Sequence, residues 1–175
     1  MAYYALLYRL FDIYLWKNSL VLKMGLVRVP NFAGRWRGYL LSSFDNHEKH
    51  YRLMLNIFQS WTNISVFLTT PTSMSRSCTA MIRVDDPSGA SLVYQYQNQP
   101  LADALKTMHM HFGTGQLRLL DGDVLTGEYY AGRDRRTFGR ICCERDQDRL
   151  DPVAELQTRE PRWSLENSPV WRKIA

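Results

Sequence analysis

The stretch that decides the fold is Phe32–Phe44, which reads Phe-Ala-Gly-Arg-Trp-Arg-Gly-Tyr-Leu-Leu-Ser-Ser-Phe. Alternation places Trp36 and Leu40 on one face of a strand, together with small residues, and the charged side chains on the other. A large aromatic residue near the start of an inward face fills one end of a barrel, and small residues further along leave room at the other. We therefore interpret this stretch as the first strand of a barrel with a plugged floor.

Length and composition are typical of one folded domain. The chain has 175 residues, of which 45% are hydrophobic and 13% aromatic, enough for a substantial core. Its net charge of +5 suits a phosphate-bearing ligand or an anionic membrane surface, but inert proteins share it. The three cysteines, Cys78, Cys142 and Cys143, have no framework spacing, which favours reduced thiols in a bacterial-type cytosol.

Short alternating runs separated by turn signals follow Gly34. They predict an all-β fold, an up-and-down antiparallel barrel of about eight strands. The turn signals include Asp-Asp-Pro-Ser-Gly at 85–89 and Asp-Gly at 121–122. A closed barrel of this size can hold one small ligand. The predicted strands are 32–44, 49–59, 64–70, 75–84, 92–98, 108–120, 124–131 and 137–145.

Outside the barrel, 26–145, we expect an N-terminal segment, 1–25, and an extended, charged C-terminal tail, 146–175. Arg9 and Asp12 interrupt the apolar runs of the N-terminal segment, which fall far short of the ~20 residues that span a bilayer. An interfacial helix, a helix packed on a partner and a helix capping the barrel all fit this pattern. Its shared helical face comprises Tyr4, Leu7, Tyr8, Phe11, Tyr14 and Leu15.

Because connections alternate between the ends of an up-and-down barrel, each residue can be assigned to an end. Trp36 and Arg145 fall at the floor, where an arginine over the indole would be a cation–π brace. The other end collects small hydroxyls, aromatic residues and an arginine-rich loop, which are the parts of a nucleotide pocket. An ordinary polar rim fits these residues at least as well. The candidate ligand-binding residues are Ser42, Thr70, Ser75, Ser77, Tyr96, Asn98, His109, Tyr129, Tyr130, Arg133, Arg135, Arg136 and Thr137.

Catalytic and metal chemistry find little support in the sequence. His109 and His111 share strand parity, but no third metal ligand has matching parity. The chain has no Gly-x-Ser-x-Gly elbow and no Walker or Rossmann glycine loop. The sequence therefore predicts a binding protein without catalytic residues, metal or cofactor.

An ordered set of motifs resembles a known family. The motifs are Pro30–Gly38, Ser42–Asp45, Gln59–Trp61, Thr70 followed by Ser75 and Ser77, Tyr94–Pro100, His111–Thr114 and Gly127–Arg133. Over about 26–145 they are similar to the two-transmembrane, β-strand-rich effectors of bacterial anti-phage signalling, in CBASS and related systems. Those effectors are encoded beside cyclic-oligonucleotide synthases.

The resemblance implies a minimal lipocalin-like barrel that senses a cyclic dinucleotide made on infection. Ligand binding would drive homo-oligomerisation and disruption of the inner membrane, leading to cell death. No DNA or RNA polymer is expected as a partner. The two spanning helices of the family are missing from this sequence. We therefore expect a bacterial cytoplasmic location, at the cytoplasmic face of the inner membrane if the native protein carries those helices.

A cyclic-nucleotide sensor would divide its contacts among the candidate residues. Bases would stack on Tyr96, Tyr129 or Tyr130, and Arg133, Arg135 or Arg136 would neutralise phosphates. Base edges and hydroxyls would be read by Asn98, Ser75, Ser77 and Thr70. The main alternative is a lipocalin-type carrier of a small apolar ligand, whose pocket would be lined by Leu and Phe up to the rim. An enzyme acting on cyclic nucleotides is a weaker third reading.

Overall fold

The computed structural model describes residues 2–87, 89–133 and 135–146, most of which form a closed antiparallel barrel. Each strand pairs with the next along the chain, and the first strand pairs with the last. The predicted all-β, up-and-down barrel is confirmed. The strands are β1 Gly34–Ser42, β2 Tyr51–Gln59, β3 Ile64–Thr69, β4 Ser73–Arg83, β5 Ser91–Pro100, β6 His111–Leu120, β7 Val124–Ala131 and β8 Phe138–Arg145.

Several strand ends differ from the prediction by one to three residues, and for two of them the local reason is visible. β4 begins at Ser73, earlier than predicted, because the Thr70 amide donates to the Ser73 carbonyl at 2.9 Å and closes a tight hairpin. β6 begins at His111, later than predicted. The connection before β6 contains a short 3₁₀ turn, Ala102–Ala104, and the Met108 amide donates to the Ala104 carbonyl at 2.9 Å. Because this hydrogen bond holds Met108 in the connection, the strand starts after it.

The floor of the barrel is a closed aromatic plug. Trp36 is fully buried, and its indole nitrogen donates to the Phe32 carbonyl at 3.1 Å. The Arg145 guanidinium lies 4.1 Å from the Trp36 ring and donates to the Ala33 carbonyl at 2.6 Å. The expected cation–π brace is therefore present. It ties the end of β8 to the segment that leads into β1.

The N-terminal segment attaches to the floor end of the barrel. It contains helices α1, Ala2–Ile13, and α2, Ser19–Lys23, joined by a 3₁₀ turn, Leu15–Lys17. The Asp12 carboxylate accepts hydrogen bonds from the Ser60 hydroxyl at 3.0 Å and from the Thr62 amide and hydroxyl, both at 2.8 Å. The end of α1 is thereby clasped to the turn between β2 and β3.

The apolar face expected for this segment is largely exposed. The side chain of Tyr4 is 74% exposed, and Leu7, Tyr8, Tyr14 and Leu15 are exposed as well. The residue that buries completely is Trp16, which the helical spacing did not single out. Trp16 and Phe11 both contact Trp61, with ring centroids 6.4 and 5.4 Å away. None of the helices among the described residues is both long and apolar enough to cross a bilayer.

The predicted C-terminal tail lies outside the described residues from position 147 onward. Asp146 is the last described residue. Its carboxylate pairs with Arg37 at 2.8 Å and Arg35 at 3.4 Å on the outer face of β1.

Candidate ligand-binding site

A cavity of about 240 Å³ opens at the end of the barrel opposite Trp36. Leu68 and Ile141 form part of its apolar wall, whereas Ser42, Thr72 and Thr137 lie at strand ends around the mouth. The barrel is therefore plugged at one end and hollow at the other, as the first strand predicts. Eight of the predicted site residues line the cavity: Ser42, Thr70, Ser75, Tyr96, Asn98, Tyr129, Arg135 and Thr137.

Five predicted residues lie outside the cavity lining. Tyr130 is 59% exposed because it follows the inward Tyr129 on the same strand and so faces the opposite way. Arg133 and Arg136 are exposed, and the Arg136 guanidinium donates to the Arg133 carbonyl at 3.3 Å within their own loop. His109 precedes β6 and has an exposed side chain.

The fifth such residue, Ser77, has a structural contact. β3 and β4 pair over only three positions, Phe67 to Thr69, and their backbone pairing ends on the side of Phe67 that leads to Val66. At that point the Ser77 hydroxyl accepts a hydrogen bond from the Val66 amide at 2.9 Å. Ser77 thus extends the contact between the two strands beyond their backbone pairing.

Three inward tyrosines lie over glycines of the neighbouring strand. Tyr94 is opposite Gly115, and Tyr96 is opposite Gly113. A Cβ on Gly115 would lie only 2.5 Å from the Tyr94 ring carbon that carries the hydroxyl, and one on Gly113 would overlap the Tyr96 ring. The third pair is Tyr129 and Gly139. Each ring therefore lies against the barrel wall and leaves the lumen open.

These phenols are neutral donors. Burial raises the pKa of Tyr94 and Tyr96 well above the ordinary value. Burial also raises the pKa of Tyr129, although its hydrogen bond with Ser42 opposes that shift. The tyrosines therefore offer aromatic faces and O–H groups, with no phenolate charge that would repel an anionic ligand.

A cluster of polar side chains joins β4 and β5 near the mouth. The Asn98 amide nitrogen donates to the hydroxyls of Ser73 and Ser75 at 3.0 and 2.9 Å. The Thr70 hydroxyl accepts from the Ser73 amide at 3.0 Å and contacts the Ser73 hydroxyl at 3.1 Å. All four residues line the cavity. The cluster is thus a fixed polar surface within reach of a bound molecule.

Arg135 is the one lysine or arginine among the described residues that line the cavity. Its guanidinium donates to the Thr107 carbonyl at 3.3 Å and lies 5.1 Å from the Phe44 ring. It therefore reaches from the loop between β7 and β8 to the connection after β5 and to the turn after β1. A planar cation in this position can bind phosphate oxygens at the mouth.

Several lining residues were not among the predicted set. Tyr51 shares inward parity with Leu53 and Leu55, so alternation contained a signal for it. Ala104, Thr107 and Met108 come from the connection between β5 and β6, and no periodicity in the sequence indicates how that connection folds. Within the described ranges, no group of three or more His, Cys, Asp or Glu side chains is placed to hold a metal.

The barrel region matches known proteins. A family model described as "Cap15, cyclic dinucleotide receptor domain" matches residues 27–145. The curated relative CD-NTase-associated protein 15 from Yersinia aleksiciae is 35% identical over 143 residues. That alignment covers 79% of this chain, which spans 65% of the length of the relative. The matched range contains every residue that lines the cavity. The resemblance found in the sequence is therefore confirmed, and the chain belongs to the Cap15 cyclic dinucleotide receptor domain family.

Proposed function

We propose that this chain is the cyclic dinucleotide sensor of a CBASS-type anti-phage effector. The observation that carries the proposal is the hollow mouth of the barrel, where Arg135 and a fixed polar cluster meet three flat tyrosine rings. Apolar walls with a few placed polar groups are typical of small-molecule sites. The same residues lie within the range that matches a receptor family.

The proposed binding mode assigns each part of the ligand to a part of the cavity. Nucleobases stack on Tyr96 and Tyr129, because stacking on an aromatic face suits every base. A phosphate lies at the mouth, where Arg135 supplies paired N–H donors. The polar cluster formed by Thr70, Ser73, Ser75 and Asn98 contacts base edges or ribose groups.

Isothermal titration of the chain with cyclic dinucleotides tests the sensor function. The panel should contain every pairing of the four bases and both linkage isomers, at low salt so that electrostatic attraction is not screened. We expect saturable binding of at least one member and no binding of the linear dinucleotide with the same bases. If no member of the panel binds, the sensor proposal is wrong.

The output of binding is a second part of the proposal. We infer that ligand binding promotes self-association and that the assembled effector disrupts the inner membrane from its cytoplasmic face. The exposed apolar side chains of α1, such as Tyr4 and Leu7, support an element that contacts a partner or a membrane surface. Light scattering should show a ligand-dependent rise in mass, and dye-filled vesicles of bacterial lipids should leak only with the ligand present. If the protein remains monomeric at saturating ligand, the proposal of ligand-driven self-association is wrong.

A carrier of a small apolar ligand is the second candidate. Leu40, Leu68 and Ile141 line the cavity and favour such a molecule. Native mass spectrometry of the purified chain distinguishes the two functions, since a carrier retains a lipid-like molecule that a cyclic dinucleotide does not displace. Recovery of unchanged cyclic dinucleotide after long incubation would separate a sensor from an enzyme.

A further inference from the structure

The Asn98 side chain has an unusual hydrogen-bonding state. It is 6% exposed, and its amide nitrogen donates to the hydroxyls of Ser73 and Ser75. Both N–H groups of the amide are thereby used. The amide oxygen is buried and has no hydrogen-bond partner among the residues that the structure describes.

An unpaired buried acceptor is uncommon in folded proteins, because such groups are almost always hydrogen-bonded. The neighbouring hydroxyls are not in this state. The Thr70 hydroxyl accepts from the Thr72 and Ser73 amides at 3.3 and 3.0 Å and lies 3.2 Å from the Ser73 carbonyl. The unmet acceptor of the cluster therefore belongs to Asn98, which lines the cavity.

We propose that Asn98 is a specificity-determining residue whose amide oxygen accepts a hydrogen bond from the bound ligand. Ser73 and Ser75 act as positioning residues, because their hydroxyls hold the amide nitrogen and so fix where the oxygen points. The ligand group is a donor, either an N–H on a base edge or a ribose 2′-hydroxyl. This inference rests on the proposed sensor function and adds the polarity of the group that the site recognises.

The chemistry predicts discrimination between ligands. A ligand with a donor at this point satisfies the buried oxygen, whereas one without it leaves the oxygen unpaired after water is excluded. A ligand that places an acceptor there is disfavoured further, since two acceptors face each other. The site would thus reject an isosteric ligand that differs by a single donor.

A cycle of protein and ligand variants tests the proposal. The parent probe is the tightest-binding cyclic dinucleotide of the panel, measured by titration against wild type and Asn98→Ala. Base-edge analogues replace the exocyclic amine of adenine, guanine or cytosine by hydrogen, or methylate N3 of uracil. Ribose analogues replace the 2′-hydroxyl by hydrogen. We expect wild type to lose about tenfold or more in affinity for one of these analogues. Asn98→Ala should bind that analogue and the parent equally.

The two analogue sets identify the donor. If the affinity loss that depends on Asn98 occurs with a base-edge analogue, the donor is a base N–H. If it occurs with a ribose analogue, the donor is the 2′-hydroxyl. If each analogue loses the same factor in affinity for wild type and for Asn98→Ala, the inference is wrong while the sensor function stands. If no cyclic dinucleotide binds wild type, both the inference and the proposed sensor function are wrong.

Two further variants keep the test valid if Asn98→Ala folds poorly. Ser75→Ala removes one partner of the amide nitrogen, so the amide can turn over and present its nitrogen to the ligand instead. We expect the preference for parent over analogue to shrink severalfold, a change that mere loss of stability would not produce. Gln99→Ala is the matched control, because Gln99 is the next residue of β5 and is exposed on the outer face. A Ser75→Ala variant that keeps the full preference would also overturn the inference.

Discussion

At the scale of single residues, the shape of the cavity depends on glycines, which have no side chain beside the inward tyrosines. Tyr94 lies flat because Gly115 offers no Cβ, and its ring is fully buried with little space to move outward. A methyl group at position 115 would displace the ring toward the lumen. Glycine in these strands is therefore a requirement of the hollow end, and it weakens the strand locally in exchange for an open pocket.

Gly115→Ala should reduce both stability and ligand affinity. The new Cβ would lie 2.5 to 2.7 Å from three atoms of the Tyr94 side chain, so the ring has to shift into the cavity. We expect a loss of about 1–3 kcal/mol in the free energy of unfolding, from urea denaturation, together with weaker binding in titration. Combining it with Tyr94→Leu should restore part of the stability because the clash is removed. A Thr114→Ala control on the outer face of β6 should leave affinity unchanged.

Arg135 is the second single-residue determinant. Arg135→Ala removes the one lysine or arginine among the described lining residues, and we expect affinity for a cyclic dinucleotide to fall about tenfold to one hundredfold. The remaining binding should depend less on salt concentration, because a charge contact has been lost. Arg140→Ala is the control, since Arg140 is exposed on the outer face of β8. An equal loss in the two variants would indicate a general charge effect and no phosphate contact.

At the scale of elements, the N-terminal segment is attached through one carboxylate. The Asp12 side chain accepts three hydrogen bonds from the turn between β2 and β3, and its backbone carbonyl accepts from the Trp61 amide at 2.9 Å. The hydrogen bonds to the carboxylate hold the pKa of Asp12 below its ordinary value of 3.8, and the one from the Thr62 hydroxyl has the largest effect. The attachment is therefore coupled to the charge of this group.

The clasp should weaken in acid. Because the pKa of Asp12 is lowered by the contact, its stabilising contribution is complete above about pH 4. That contribution is lost as the pH falls through the lowered pKa. The protection factor of the Thr62 amide, measured by hydrogen exchange with NMR and corrected for the intrinsic exchange rate at each pH, should fall over this range. Asp12→Ala should lower this protection factor at every pH, and Asp12→Asn, which keeps an acceptor, should make it independent of pH. Asp85→Ala, in an exposed turn, should change nothing at Thr62.

The sequence predicted this architecture well because alternation decides which residues face inward. It placed Trp36 at the floor, Arg145 over it, and Tyr96, Asn98 and Tyr129 in the cavity. It did not separate Arg135 from Arg133, since loop conformation is set by contacts that have no sequence period. It also missed Trp16, whose burial depends on a distant turn that carries Trp61. Alternation gives the face of a strand, while the depth of a pocket depends on register and on the connections that fold over it.

At the scale of the whole molecule, Arg145 joins the first and last strands of the barrel at its floor. Its side chain contacts Trp36 and the Ala33 carbonyl before β1, and it also binds the Asp123 carboxylate in the turn between β6 and β7. The seam between β1 and β8 is where the sheet closes on itself. One side chain therefore stabilises closure between segments that are distant in sequence.

Arg145→Ala should destabilise the barrel as a whole. We expect a loss of about 2–4 kcal/mol in the free energy of unfolding, because charge-assisted hydrogen bonds and a cation–π contact are lost together. Arg145→Lys should recover little of it, since a single ammonium cannot reach all of the acceptors. Arg118→Ala provides the comparison: its 3.8 Å pair with Asp86 is at the surface, and its removal should cost at most about 1 kcal/mol. Equal midpoints of thermal unfolding for the two alanine variants would contradict this role of Arg145.

The Asp12 clasp and the open mouth stand at opposite poles of the barrel. β2 runs between them for nine residues, a distance of about 30 Å at the usual rise per residue. Under the proposed function, a cyclic dinucleotide in the cavity would lie too far from α1 to contact it. A response of α1 to the ligand would then require a change in the strands that separate the two sites.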